Sequence, residues 1–415
     1  MKNFIEKIKN NKIKFIFYLT AILFLCFFFA SIMLSHGNLM KNYLFANQRN
    51  TFMDFFNSMY DVIGLRPYEK GVIYPPLCYL IYYALILFST PEQLAVENGE
   101  MLKTFQGPMV SFMLYSIIIV LSFVFLTLKM KKGSNKEKYL FITLMMFSIP
   151  FLFAFERGNI ILVSFILLLV FMCFKDSENK VLREIALIGL AASAAIKIYP
   201  AIFGLILVKE KRWLDIFRVI TYGLILFVLP FLFFGGLETF KLFFYNILHT
   251  SNEFSTTVVA NKMNFVAYID FLVRGFHLGD TNLGFIGRIC VIILVVASII
   301  NLLRTDNNFI RILLLTLLMI GIPGISFTYA VVFLSIPLIY FLDSKEKRKI
   351  DYLYLVLFIL IMFPCPFAIL ERGDIAHFYY TFSTSSTIMA TAIVAMTLLA
   401  NIDVFASKGK KKLQK

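Results

Sequence analysis

The chain has 415 residues, of which 60% are hydrophobic and 16% charged, with a formal net charge of +15 and a mean hydropathy of +0.80. Soluble domains carry about 45–50% apolar and about 25% charged residues, so a water-soluble globular domain is excluded as the main architecture. The positive charge does not indicate nucleic acid: it is confined to short gaps between apolar runs, and no base-reading or basic-groove element accompanies it.

Apolar runs near 20 residues recur along the whole length, as bilayer-spanning helices require, and in hydrocarbon a helix satisfies its own backbone groups. The alternating strands of about 10 residues that build a membrane β-barrel are absent. The expectation is an all-α polytopic transmembrane bundle of about 10–12 membrane helices, forming a single integral-membrane domain over 1–415.

The first run, 15–34, exceeds the h-region of about 7–15 residues typical of a signal peptide, and no small-residue cleavage site follows it. It reads as a first membrane helix. Lys2, Lys7, Lys9, Lys12 and Lys14 before it place the N-terminus in the cytoplasm by the positive-inside rule. Residues 35–108 then form a first outer loop. Glu92, Glu97 and Glu100 against Lys103 suit that side. A full crossing by 74–90 would give the next helix the wrong polarity. This run is therefore expected to be a re-entrant or interfacial helix beginning at Pro75-Pro76, since proline is tolerated in a first turn.

Helix 109–130 returns to the basic loop 131–138, helix 139–154 goes out, and Glu156-Arg157-Gly158-Asn159 lies at its outer end. Helix 160–174 comes back. The stretch 185–208 has basic residues at both ends and is interrupted by Lys197, Tyr199 and Pro200. Because the residue before a proline is pushed out of the helical region, a broken hairpin of two half-helices is expected there. Helix 213–235 leads to a second outer loop, 236–283, with an interfacial helix at 265–275. Helix 284–303, a pair 308–322 and 325–342 bent at Pro323-Gly324, and helices 350–370 and 378–400 complete the chain. Lys345–Lys349 and the basic tail 408–415 put the C-terminus in the cytoplasm, and the expected location is the plasma membrane. Glu371-Arg372-Gly373-Asp374 echoes 156–159, but four residues do not define a repeat. The five cysteines stand singly in apolar stretches and the four histidines are not closely spaced, which gives neither a disulfide framework nor a metal spacing.

This topology gathers Asp54, Asp61, Arg66, Glu69, Glu156, Arg157, Asn159, Asp270, Glu371 and Arg372 toward the outer face, with Lys197 reaching depth from the inner side. Ionisable residues at membrane depth are costly and invite a functional reading. Lys197 is either a snorkelling or ion-paired lysine or a cation for an anion such as phosphate, which an ammonium suits as a point charge and broken helix ends can assist. Asp54 is either a helix N-cap or loop carboxylate, or a general base among Phe52, Phe55 and Phe56, where an apolar setting strengthens a carboxylate as a base. Arg157 and Asn159 either bind a polar headgroup or, with Glu156, form a structural helix end. Tyr74, Tyr79, Tyr82, Tyr83, Tyr379 and Tyr380 fit interfacial aromatic belts or a surface on which sugar rings stack.

Three segments in this order, MDFFNSMYDVIGLRPYEKGVIYPPL, ERGNIILVSFILLLV and GLAASAAIKIYPAIFGLILVKEKRW, resemble glycosyltransferase family 87. These are membrane enzymes of GT-C type related to polyprenyl-phosphate-mannose-dependent mannosyltransferases. The resemblance covers roughly 15–345 and is strongest over 156–213. It implies that Asp54 is the base and that Lys197 before Tyr199-Pro200 is the matching lysine; Arg66, Tyr74, Glu156, Arg157, Asn159 and Tyr199 are the further candidates for binding the substrate, although Glu156-Arg157 stands where relatives commonly have Gly-Gln. Near the Pro-Gly bend relatives often show Ser-Trp and His, whereas this chain has Ser326-Phe327-Thr328-Tyr329, leaving Tyr329 as the residue in that place. The implied reaction is an inverting transfer of mannose or another hexose from a polyprenyl-phosphate-linked sugar donor to a glycan or glycolipid acceptor at the outer face. No cofactor is required, although Asp54 and Asp61 leave a divalent metal open. A transporter or flippase of lipid-linked sugars would also use a broken helix and buried cations, and an outer-face polymerase or ligase would use the same chemistry on a larger donor.

Overall fold

The computed structural model describes residues 12–44, 50–257, 262–275, 282–345, 348–365 and 384–413. The helices in chain order begin with α1 (Lys12–Leu34), α2 (Met53–Val62), α3 (Pro76–Ile86), α4 (Gln106–Met130), α5 (Asn135–Met146), α6 (Ile149–Arg157), α7 (Ile161–Phe174) and α8 (Lys180–Ile196). They continue with α9 (Trp213–Phe233), α10 (Leu237–Thr257), α11 (Phe265–Gly275), α12 (Asn282–Arg304), α13 (Asn308–Gly321), α14 (Ser335–Asp343), α15 (Asp351–Met362) and α16 (Thr384–Leu413). Among the described residues the β-structure amounts to an isolated antiparallel bridge between Lys262 and Phe327. The motif 371–374, Tyr379, Tyr380, His277 and His377 lie outside the described residues.

The protein is an all-α, multi-pass membrane protein. Among the described residues five helices, α1, α4, α9, α12 and α16, are long and apolar enough to cross a bilayer, and the α5–α6 pair makes a sixth if taken as one span. Their outward side chains explain the composition: Trp213, Leu214, Phe217, Ile220 and Leu224 are all exposed along α9, an arrangement water would penalise and lipid solvates. Other apolar helices run 10–17 residues, among them α3, α7, α13 and α15. At about 1.5 Å per residue the 11-residue α3 spans about 16 Å, roughly half of a hydrocarbon core near 30 Å. Of the helices expected to cross, α7 and α13 have 14 residues each and reach about 21 Å, short of that core.

Three boundaries differ from the sequence reading. Residues 139–154 form two helices bent by 54°, because Pro150 removes the amide that would bond the Met146 carbonyl; at the same break Ser148 Oγ donates to Met145 O at 2.6 Å. The segment after α9 is helical from Leu237 to Thr257, where its Asn, Thr and Ser content suggests loop. The expected half-helices at 185–208 are unequal: α8 starts at Lys180 and runs 17 residues, whereas the second part is a 3-10 turn, Tyr199–Gly204, followed by one helical turn to Lys209. The break itself falls where expected, since the Pro200 ring excludes a helical bond to the Ile196 carbonyl.

The chain divides into two compact units. The first comprises 1–45, 131–152 and 258–415. Within it the completely buried Lys131 ammonium bonds Glu137 at 3.2 Å and pairs with Asp343, while Lys14 reaches Glu137 at 2.8 Å. Arg348 grips Asp403 and Asp351, and Asn401 bonds both Asn301 and Ser298 at 2.8 Å, tying α16 to α12. The second unit comprises 46–130 and 153–257 and holds most of the residues singled out above. Its centre is the α7–α8 pair. Gly189 lets the helices close up, since a Cβ there would meet Leu167 O at 2.9 Å, as small residues do in membrane helix contacts. Ser164 Oγ donates to Ser193 O at 3.1 Å and Ser193 Oγ to Ser164 O at 2.8 Å.

Candidate active site

The α6–α7 corner is built by the sequence Glu156-Arg157-Gly158-Asn159. Gly158 has φ +62°, its N–H bonds Phe155 O at 2.8 Å, and the Asn159 N–H bonds Ala154 O at 3.1 Å. That pair of bonds around a left-handed residue is a Schellman ending, for which glycine is preferred. Glycine is also needed for space: a Cβ would lie 2.8 Å from Phe55 Cβ. The corner thus sits directly on α2, and it aims Arg157 and Asn159 at the same neighbour.

That neighbour is Asp54. It occupies the first turn of α2, after Phe52 at the N-cap position, so the N-cap alternative does not describe it. Arg157 donates to Asp54 Oδ1 through Nε at 3.1 Å and through Nη2. Asn159 Nδ2 donates to Oδ2 at 2.7 Å. The pair is recessed but accessible, with side-chain exposures of 16% for Arg157 and 18% for Asp54. Arg157 Nη1 also donates to Asn50 O at 2.9 Å, and the Phe52 N–H bonds Glu156 O at 2.6 Å, which fastens the start of α2 to the corner. Asn159 is completely buried: its Oδ1 accepts from Ile161 N at 2.9 Å, and its carbonyl accepts from Tyr115 Oη at 2.7 Å.

Asn159 passes the network on. Its Nδ2 is 3.3 Å from Tyr74 Oη, and the Lys197 ammonium lies 3.8 Å from the centre of the Tyr74 ring, within cation–π range. Burial, with the Asp54 carboxylate adding to it, raises the Tyr74 phenol above its ordinary range, so it remains a neutral O–H. Tyr74 is positioned by Tyr68, whose hydroxyl donates to Tyr74 O at 2.8 Å, just before α3 starts at Pro76. Lys197 is extended, at φ −136° and ψ 115°, where α8 ends. The serine pairing of α7 with α8 brings this end of α8 to the end of α7 that begins beside Asn159.

Asp54, Arg157, Asn159, Tyr74 and Lys197, scattered over more than 140 positions, therefore form one connected group in the second unit. Tyr199 stands at the same break, half-buried, two residues after Lys197. Arg157 has its guanidinium on Asp54. Arg66 is not drawn in, because its exposed side chain pairs with Glu69 at 3.3 Å. Glu156 contributes its carbonyl to Phe52. Tyr329 belongs to the first unit, buried with its ring 5.7 Å from that of Phe327. Asp61 lies seven residues beyond Asp54 on α2; burial pushes its carboxyl up to about 6, against the pull of Lys70.

Sequence reasoning missed Gly158, Tyr115 and Asn50. A glycine directly after a helix-ending arginine is a C-terminal stop signal and marks Gly158; no local pattern marks Tyr115, which acts through a contact 44 positions away.

The model of Glycosyltransferase family 87 matches residues 73–323, more than half of the chain. No curated protein and no solved structure matches.

Proposed function

The chain belongs to glycosyltransferase family 87 and is a membrane glycosyltransferase, and from that premise we propose that it moves a hexose from a polyprenyl-phosphate donor to a glycan or glycolipid acceptor by direct, inverting displacement at the outer face of the plasma membrane. The supporting observation is the continuous link from Asp54 through Asn159 and Tyr74 to Lys197, which joins a carboxylate to a buried cation. Asp54 accepts the proton of the acceptor hydroxyl as that oxygen bonds to the sugar's anomeric carbon. The bond from that carbon to the phosphate oxygen breaks, and its electron pair leaves with the polyprenyl phosphate. Such a leaving group is a weak base and needs charge stabilisation rather than protonation, so one carboxylate suffices where a glycosidase needs two. Lys197 and Arg157 supply the charge, and Tyr74 offers its ring and hydroxyl beside the reacting sugar. The scheme calls for no metal. The break at Lys197 would also suit a transporter of lipid-linked sugars, which would move the donor without consuming it.

The deciding assay incubates the purified protein with polyprenyl-phosphate sugars and a membrane extract as acceptor. The unaltered protein should transfer sugar, and Asp54→Asn should lower the rate by about 10²–10⁴-fold, the usual contribution of a positioned base. Full activity in Asp54→Asn, or no transfer from any such donor, would sink the mechanism.

A further inference from the structure

Asp54 is engaged in a way that a free general base is not. Oδ1, one of its two proton-accepting oxygens, is taken by two donors of the Arg157 guanidinium. Oδ2 is held separately by Asn159 at 2.7 Å, and Asn159 is itself fixed by Ile161 N and Tyr115 Oη. The two halves of the carboxylate thus have different kinds of partner: a buried amide locked by its own bonds, and a long guanidinium side chain with part of its surface accessible. The guanidinium fork matches a phosphate as well as it matches a carboxylate. Exchanging one anion for another keeps the guanidinium paired, while the Asn159 tether would keep Asp54 in place.

We propose that Asp54 and the donor's phosphodiester are competing ligands of Arg157, so that donor binding displaces Oδ1 from the guanidinium and only then presents it to the acceptor hydroxyl. Arg157 is thereby a positioning residue for Asp54 before the donor arrives and a donor-binding residue afterwards. The order of events follows: the base is released by the substrate whose phosphate it helps to expel. This rests on the proposed function, in that it takes the bound anion to be the donor headgroup.

The test is a double-mutant cycle on binding rather than on turnover. The probe is farnesyl methyl phosphate, a phosphodiester with a short prenyl chain, titrated into the full-length protein in detergent. Competition predicts that Asp54→Asn, though inactive, binds the probe about tenfold more tightly than the unaltered protein, because truncating a close ion-pair partner frees the guanidinium. Arg157→Gln should weaken binding, and in that background Asp54→Asn should change affinity by no more than about threefold, the remaining through-space effect on Lys197. Unchanged or weaker binding by Asp54→Asn overturns the proposal, as does equal tightening with and without Arg157. Monodispersity and melting temperature report whether each variant is folded, and Asp54→Ser, a smaller neutral side chain, repeats the cycle if Asp54→Asn is not. If Asp54→Asn abolishes transfer without altering probe affinity, the competition fails and the proposed function stands. If the pattern appears in a protein that transfers sugar from no polyprenyl-phosphate donor, the reverse holds.

Discussion

Gly158 shows how much of the site depends on one residue without a side chain. Its φ of +62° costs an L-residue on the order of 1–2 kcal/mol, and the 2.8 Å approach of an added Cβ to Phe55 would force the corner off α2. Gly64, with φ +85° and nothing within 4 Å of an added Cβ, isolates the first effect from the second. Gly64→Ala should therefore cost about 1 kcal/mol and retain transfer activity. Gly158→Ala should cost about 2–3 kcal/mol and lower the transfer rate by tenfold or more, because Arg157 and Asn159 would no longer meet Asp54 and misplacement of about 1 Å can cost about 10²-fold. Melting curves and initial rates check both; equal activity in the two variants would show that the corner does not position the base. At this scale Asp54, Lys197 and Asn159 were legible in the sequence because polar groups stand out in an apolar chain. Their partners were not, since which donor faces which acceptor depends on how α2, α6 and α8 pack.

Among the elements, long apolar runs were the most legible, and α10 was the least. Its polar residues suggest a loop, yet Thr239, Phe243 and Asn246 are buried at helical spacing. The buried face also carries the function of this helix. Phe243 packs on Tyr68 with ring centres 5.6 Å apart, and Asn246 Nδ2 donates to Tyr68 O at 2.8 Å and Val72 O at 3.1 Å. The short turn Pro67–Lys70 that leads into Tyr74 is thus secured by a helix some 170 residues later. Asn246→Ala would leave two carbonyls without this donor, at about 1–3 kcal/mol. We expect a lower melting temperature and a transfer rate reduced less than tenfold, since the loop is loosened but the Asp54 group is left intact. A rate loss as large as that of Asp54→Asn would place Asn246 in the chemistry instead. Burial along α10 repeats at helical spacing, but its buried face includes polar residues whose partners lie elsewhere in the chain, so the segment reads as loop from sequence alone.

For the molecule as a whole, charge placement proposes that residues 35–108 face outward and 131–138 inward. Glu97 and Lys136 are both exposed and provide reporters. In a variant lacking the five native cysteines, Glu97→Cys should react with a membrane-impermeant maleimide in intact cells, and Lys136→Cys only after lysis. The opposite pattern would put Asp54 in the cytoplasm and remove the basis for lipid-linked donor chemistry at the outer face. The membrane class, the positions of most helices and the break at Lys197 were determined by sequence alone, because run length, charge bias and proline act locally or through the bilayer. The tertiary structure decided the rest, above all the helicity of α10 and the capture of Asp54 by Arg157. Those depend on close approaches between distant segments, at Asn246 and at Gly158, which no local pattern of hydrophobicity or charge encodes.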